Sequence, residues 1–140
     1  MLGSWGVDLL VAHKLELAGG VDAPRLVRAR LGELLAARIS EHDLHDVVVM
    51  TSELVANAVR HGGAGERDTV VVHLAIAAGV LRVEVCDRGA GFTPPDVLRP
   101  RAQGGGHGLI LVERLSSGWG VSGDDGTCVW FERLLEPDDP

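Results

Sequence analysis

Residues 70–86 constrain the fold of this chain more than any other stretch. Val70, Val72, Leu74 and Ile76 alternate along one segment. Leu81, Val83 and Val85 alternate along the next, with Arg82, Glu84 and Cys86 between them. Period-two alternation marks a strand with one buried face. Only Ala78 and Gly79 separate the two runs. So short a connection joins antiparallel neighbours, because parallel strands need a crossover of a dozen or more residues. The hairpin argues against a doubly wound parallel sheet.

Helical periodicity precedes the hairpin. Residues 15–17 read as the end of a short first strand, broken by Gly19-Gly20. Asp22 is placed to cap a helix with Pro24 in its first turn. Leu26, Val27, Leu31, Leu34, Leu35 and Ile39 form its apolar stripe. A second helix starts near residues 40–43, with Leu44, Val47, Val48, Thr51, Leu54, Val55, Ala58 and Val59 on a wide apolar face, and stops at Gly62-Gly63. Residues 88–107 are rich in Gly and Pro and poor in apolar side chains, as befits a functional or disordered loop. Residues 109–115 read as a helix, and residues 119–121 and 128–134 as a last hairpin. The acidic tail, residues 136–140, is expected to fray. Hairpins with segregated helices make an α+β two-layer sandwich, a mixed, mostly antiparallel sheet with helices on one face.

Composition narrows the class. The 140 residues are 46% hydrophobic, which suits one packed domain, its core over about residues 12–134. The net charge of −7 leaves no basic face for neutralising phosphates along a nucleic acid. The longest stretch without Asp, Glu, Lys or Arg is residues 69–81, shorter than the ~18 residues of a membrane helix. The opening MLGSWGVDLL has no basic segment before its apolar residues, so it does not read as a secretory signal, and a cytoplasmic protein without membrane contact is expected. Cys86 and Cys128 are too few for a disulfide scaffold or a zinc knuckle, and are expected to be buried free thiols.

Four local patterns carry possible chemistry. Glu53, Asn57 and His61 lie at i, i+4 and i+8 along one side of the second helix, beside its apolar face, with Arg60 next to His61. Asn is a neutral oxygen donor suited to Mg²⁺, and Glu is a candidate base; a polar helix edge facing water has the same spacing. Asp87 ends the strand of Leu81, Val83 and Val85 on its apolar face, where a carboxylate needs a donor such as a ligand amine. Gly89 and Gly91 follow, permitting a sharp turn and close backbone approach. Gly104-Gly105-Gly106-His107-Gly108 stands directly before a helix, where free N–H groups and the positive dipole end favour phosphate. Thr127 shares a strand face with Val129 and Phe131, which strand propensity alone also explains.

Taken together, the order and spacing of these patterns are specific. The phrases SELVANAVRHG, VEVCDRGAGF, GGGHGLILVERLSSGWGV and GTCVWF resemble the GHKL superfamily of ATP-binding domains, and within it the small stand-alone anti-sigma-factor serine/threonine kinases and their actinobacterial relatives. The resemblance implies the Bergerat fold and the cofactors ATP and Mg²⁺. It implies that Asn57 ligates Mg²⁺, that Glu53 is the general base for a partner's serine, and that Asp87 binds the adenine amino group with support from Thr127. Gly89 and Gly91 would allow close approach to the base, Gly106, Gly108 and Leu109 would offer N–H groups to the phosphates, and residues 92–105 would form a lid. His61 and Arg60 are implied to lie near the phosphates. His107 stands where relatives often carry Arg or Met, and either touches a phosphate or belongs to the lid.

The resemblance further implies two partners, a sigma factor and an anti-anti-sigma protein with a STAS domain, with Arg25 and Arg28 on the first helix as candidate contacts. A solvated basic helix face is the plainer account of those arginines. Val71, His73, Cys86 and Trp130 on the outer sheet face would favour a homodimer if they formed an apolar patch. The competing function is a nucleotide-binding module that sequesters a partner without transferring phosphate.

Overall fold

The computed structural model describes residues 9–61, 68–87, 107–122 and 127–137. Along the chain they form β1 (Leu9–Ala18), α1 (Ala23–Leu35), α2 (Glu41–His61), β2 (Thr69–Ala77), β3 (Val80–Asp87), α3 (His107–Leu115), β4 (Gly118–Ser122) and β5 (Thr127–Leu134). The expected glycine-rich loop, residues 88–106, and the final turn, residues 123–126, lie outside the described residues.

The sheet has the order β1-β2-β3-β5-β4. Among the described residues every ladder is antiparallel, in keeping with the mostly antiparallel α+β sheet expected from the sequence. β4 runs in the same direction as β3, but β5 is inserted between them, so the crossover through α3 forms no parallel pair. Ala77 opposite Val80 closes the β2–β3 hairpin. Ala78 and Gly79 have φ of 51° and 77°, the two left-handed residues that such a turn requires. Glycine adopts this conformation freely, whereas Ala78 holds it against its own Cβ.

β1 is ten residues long, not the short strand expected. Its register with β2 runs from Leu9 opposite Ala77 to Ala18 opposite Thr69, and that backbone pairing extends it through polar Lys14 and Glu16. α2 begins where Ser40 Oγ accepts the Asp43 N–H at 3.0 Å, a side-chain cap. α1 lacks one: Asp22 stands at its N-cap position, but its side chain makes no capping bond and pairs instead with Arg25 at 3.6 Å.

The core lies between the helices and one face of the sheet. Val27, Leu31 and Leu35 of α1 and Val47, Met50 and Leu54 of α2 pack over Val70, Val72, Leu74, Leu81, Val83 and Phe131. Leu26, expected in the stripe of α1, is 39% exposed, because Ala23, Val27, Leu31 and Leu35 already fill the buried edge at four-residue spacing.

A buried ion cluster fastens β5 to the start of α2. Arg133 Nε donates to Asp43 Oδ1 at 2.9 Å, and Nη1 lies 2.6 Å from Asp46 Oδ2 and 3.1 Å from the Leu115 carbonyl. The Glu136 N–H donates to Asp43 Oδ2 at 2.7 Å, so residue 136 is held rather than frayed. Burial alone would raise the Asp43 carboxyl, but the Glu136 N–H, the Arg133 guanidinium and the Ser40 hydroxyl hold it below its usual range.

On the outer face Arg82 stacks on Trp130, Cζ 4.3 Å from the ring centroid, and pairs with Glu132 at 3.2 Å. Gly120, opposite Trp130, leaves the space that the indole occupies: a Cβ there would stand 2.8 Å from it. Cys86 and Cys128 are not free thiols. They stand opposite each other on β3 and β5, Cα atoms 4.1 Å apart, and form a disulfide. A separation of 42 positions in the sequence hides a pairing that the strand register brings about.

Candidate functional site: a polar end of the sandwich

Three observations orient the helices over the sheet. Asp43, in the first turn of α2, meets Arg133, whose register partner is Leu81 near the start of β3. The α2 helix of 21 residues spans about 30 Å, enough to carry its last turns to the far end of the sheet. There residue 68 leads directly into β2, whose first residues pair with the last of β3. α3 runs the other way: its last residue, Leu115, accepts from Arg133, so its first turn lies toward that same far end. Asn57 and His61 of α2, Asp87 at the close of β3, Thr127 at the start of β5 and His107–Gly108–Leu109 at the head of α3 therefore gather at one end.

Asn57 is only 1% exposed. Its Oδ1 accepts from Arg60 Nη2 at 3.1 Å, and its Nδ2 is buried with no hydrogen-bond partner among the described residues. A buried amide in this condition is costly unless a further group completes it. Glu53, one turn earlier, is half-buried, so its carboxylate keeps access to solvent. His61 is the last residue of α2.

Asp87 is 4% exposed and continues the buried face of Leu81, Val83 and Val85. Thr127 is its register partner across β3 and β5. The antiparallel ladder thus unites two residues that the sequence separates by forty positions. Leu109 is fully buried and anchors the first turn of α3 in the core. Gly89, Gly91 and Gly106, and the lid assigned to residues 92–105, lie outside the described residues.

Lys14 is not at this end of the molecule's inner face: it sits on β1 and pairs with Glu16 at 3.3 Å. The contact that the sequence leaves without a role is that of Arg60. Its i, i+3 spacing from Asn57 is the signal that could have suggested it. The described residues fit Mg-ATP. Asn57 offers an amide oxygen that accepts from Arg60, an exposed guanidinium itself suited to phosphate. Asp87 offers a buried acceptor at the opposite side of the same end.

A two-layer sandwich with a buried amide on α2 and a buried carboxylate closing β3 is the arrangement of an ATP-binding domain of the GHKL class. The family model of the histidine kinase-like ATPase domain matches residues 20–133, and the chain belongs to that family. Domains of this class bind Mg-ATP. In fold the chain is similar to the histidine kinase domain of the blue-light activated histidine kinase EL346 from Erythrobacter litoralis, with a TM-score of 0.57 at 19% identity, covering 81% of this chain and 59% of that one. A second structure of that kinase matches with a TM-score of 0.46 at 24% identity, covering 66% and 32% of the two chains. The chain thus spans about three-fifths of the histidine kinase domain that it matches. Among the described residues no helix is long and apolar enough to cross a membrane.

Proposed function

We propose that this domain is a cytoplasmic Mg-ATP-dependent protein serine/threonine kinase of the anti-sigma type. The observation that carries the proposal is the pairing on α2 of a buried, incompletely satisfied Asn57 amide with a half-buried Glu53 one turn away. Serine is a weak nucleophile at neutral pH and needs a positioned base. Glu53 is that base, placed to take the hydroxyl proton of the partner's serine, and Asn57 would hold the metal. Asp87, with Thr127 beside it, accepts from the adenine amino group. Bound Mg-ATP would supply the transferable γ-phosphoryl group and the charge neutralisation its transfer requires.

The substrate in this proposal is a STAS-domain anti-anti-sigma protein, and the sequestered partner is a sigma factor. α1 supports a protein contact: Arg25 and Arg28 are exposed there, and exposed Leu26 and Val21 accompany them, Val21 at 88%. Basic residues flanking exposed apolar ones suit an acidic, partly apolar partner surface.

The test is calorimetric titration with ATP, with and without Mg²⁺, followed by a phosphotransfer assay on STAS-domain proteins. Mg²⁺-dependent binding with transfer is expected, and Glu53→Ala should keep the binding and lose the transfer. Loss of binding in that variant would make Glu53 structural. Binding without transfer in the native protein would leave a sequestering module instead of a kinase.

A further inference from the structure

On the face of the sheet turned away from the helices, three metal-ligating side chains converge. Glu84 and Cys86 are alternate residues of β3, and Cys128 stands opposite Cys86 on β5. One Glu84 oxygen and the two sulfurs all lie within 4.8 Å of one another, and the three residues are half-buried. Glu84 Oε1 is 3.6 Å from Cys86 Sγ. Its Oε2 lies 3.8 Å from Arg82 Nη2, and Arg82 is itself fixed by Trp130 and Glu132. The carboxylate is thus held against the sulfur pair.

A carboxylate gains little from a disulfide sulfur and would repel a thiolate. A cation between them removes that repulsion. The geometry points to a redox-gated site for a thiophilic divalent cation, Zn²⁺ by ligand type, formed by Cys86, Cys128 and Glu84 once the disulfide is reduced. Two thiolates and a carboxylate select Zn²⁺ over Mg²⁺, which takes oxygen ligands in an octahedral shell. Three protein ligands leave the fourth tetrahedral position to water.

The chemistry balances in two steps. A dithiol reductant gives two electrons and two protons to the Cys86–Cys128 bond and closes to its own disulfide, leaving two thiols. The cation then displaces both thiol protons to solvent as it binds the thiolates. Oxidised and metal-loaded forms exclude each other, because each uses both sulfurs. The site does not rest on the nucleotide reading, since it lies on the opposite sheet face from Asp87.

The full chain, reduced with a non-chelating phosphine, is titrated with Zn²⁺ against a chromophoric chelator, and with Co²⁺ to observe thiolate-to-metal charge transfer. One Zn²⁺ per reduced chain is expected, with the charge-transfer band in the Co²⁺ form and neither in the oxidised protein. Glu84→Gln should weaken Zn²⁺ binding about tenfold or more. Zn²⁺ should also slow alkylation of the two thiols in the native sequence, a readout that needs no variant to fold. Uptake no greater than that of the Cys86→Ser/Cys128→Ser variant, or thiols alkylated equally fast with Zn²⁺, would overturn the site. Unchanged affinity in Glu84→Gln would overturn the three-ligand set.

Discussion

Arg60 Nη2 donates to Asn57 Oδ1 at 3.1 Å, three residues along α2, while the same amide's Nδ2 is buried without a partner among the described residues. An exposed guanidinium thus covers the oxygen that the proposed metal needs. The core fixes the position of the amide, and solvent can take Arg60 back when a cation arrives.

Asn57→Ala is therefore expected to remove the Mg²⁺ dependence of ATP binding, with a loss in the presence of Mg²⁺ of at least about tenfold, or about 1.4 kcal/mol. Calorimetry with and without Mg²⁺ measures it. An unchanged difference between the two titrations would refute the metal role of Asn57.

Asp87 closes β3 as a buried carboxylate opposite Thr127. In Asp87→Asn the adenine amino group would lose a charged acceptor, a change of about 1.5–3 kcal/mol. ATP and ADP affinities should both fall roughly 10- to 100-fold, while circular dichroism shows the fold retained. Equal affinities in the variant and the native protein would take Asp87 out of the adenine site.

The Asp43–Arg133 pair makes a prediction about acid stability. The Asp43 carboxyl is held below its ordinary value of 3.8. A carboxylate depressed in the folded state contributes its stability above the unfolded pKa and loses it as pH falls through the folded one. Asp43→Asn should be less stable at pH 7 by about 3 kcal/mol, since it leaves Arg133 buried with one carboxylate fewer. The gap should narrow progressively as pH falls below about 4. Urea unfolding across this range measures it, and a gap independent of pH would show that Asp43 does not carry the effect.

The β2–β3 turn offers a stabilising change. Ala78 has φ of 51°, where a Cβ is unfavourable. Asn adopts this conformation more readily, so Ala78→Asn should raise stability by roughly 0.5–1 kcal/mol. A thermal midpoint equal to or below that of the native protein would show that the turn is not strained.

Much of the fold was legible because its signals are local. Alternation in β2 and β3, the two-residue turn between them and the four-residue spacing in α1 and α2 each reflect what a short segment must bury. Leu26 departs from the expected stripe because a periodic pattern shows that a face exists without showing how wide the neighbouring layer makes it, and Asp22 departs from its expected cap because its carboxylate pairs with Arg25 instead. The site divides in the same way. Asn57, Asp87 and Thr127 carry local signals, whereas the contact of Arg60 with Asn57 depends on which rotamer the folded surface allows.

The sequence alone determined the order of elements and the antiparallel hairpin, and it singled out the candidate nucleotide residues, because periodicity, turn chemistry and side-chain type act over a few residues. Only the tertiary structure decided that β5 enters between β3 and β4, that Arg133 fastens β5 to α2, and that Cys86 meets Cys128. Each of those depends on register between strands or helices far apart in sequence. Register is set by the packing of whole layers rather than by any residue's own preference.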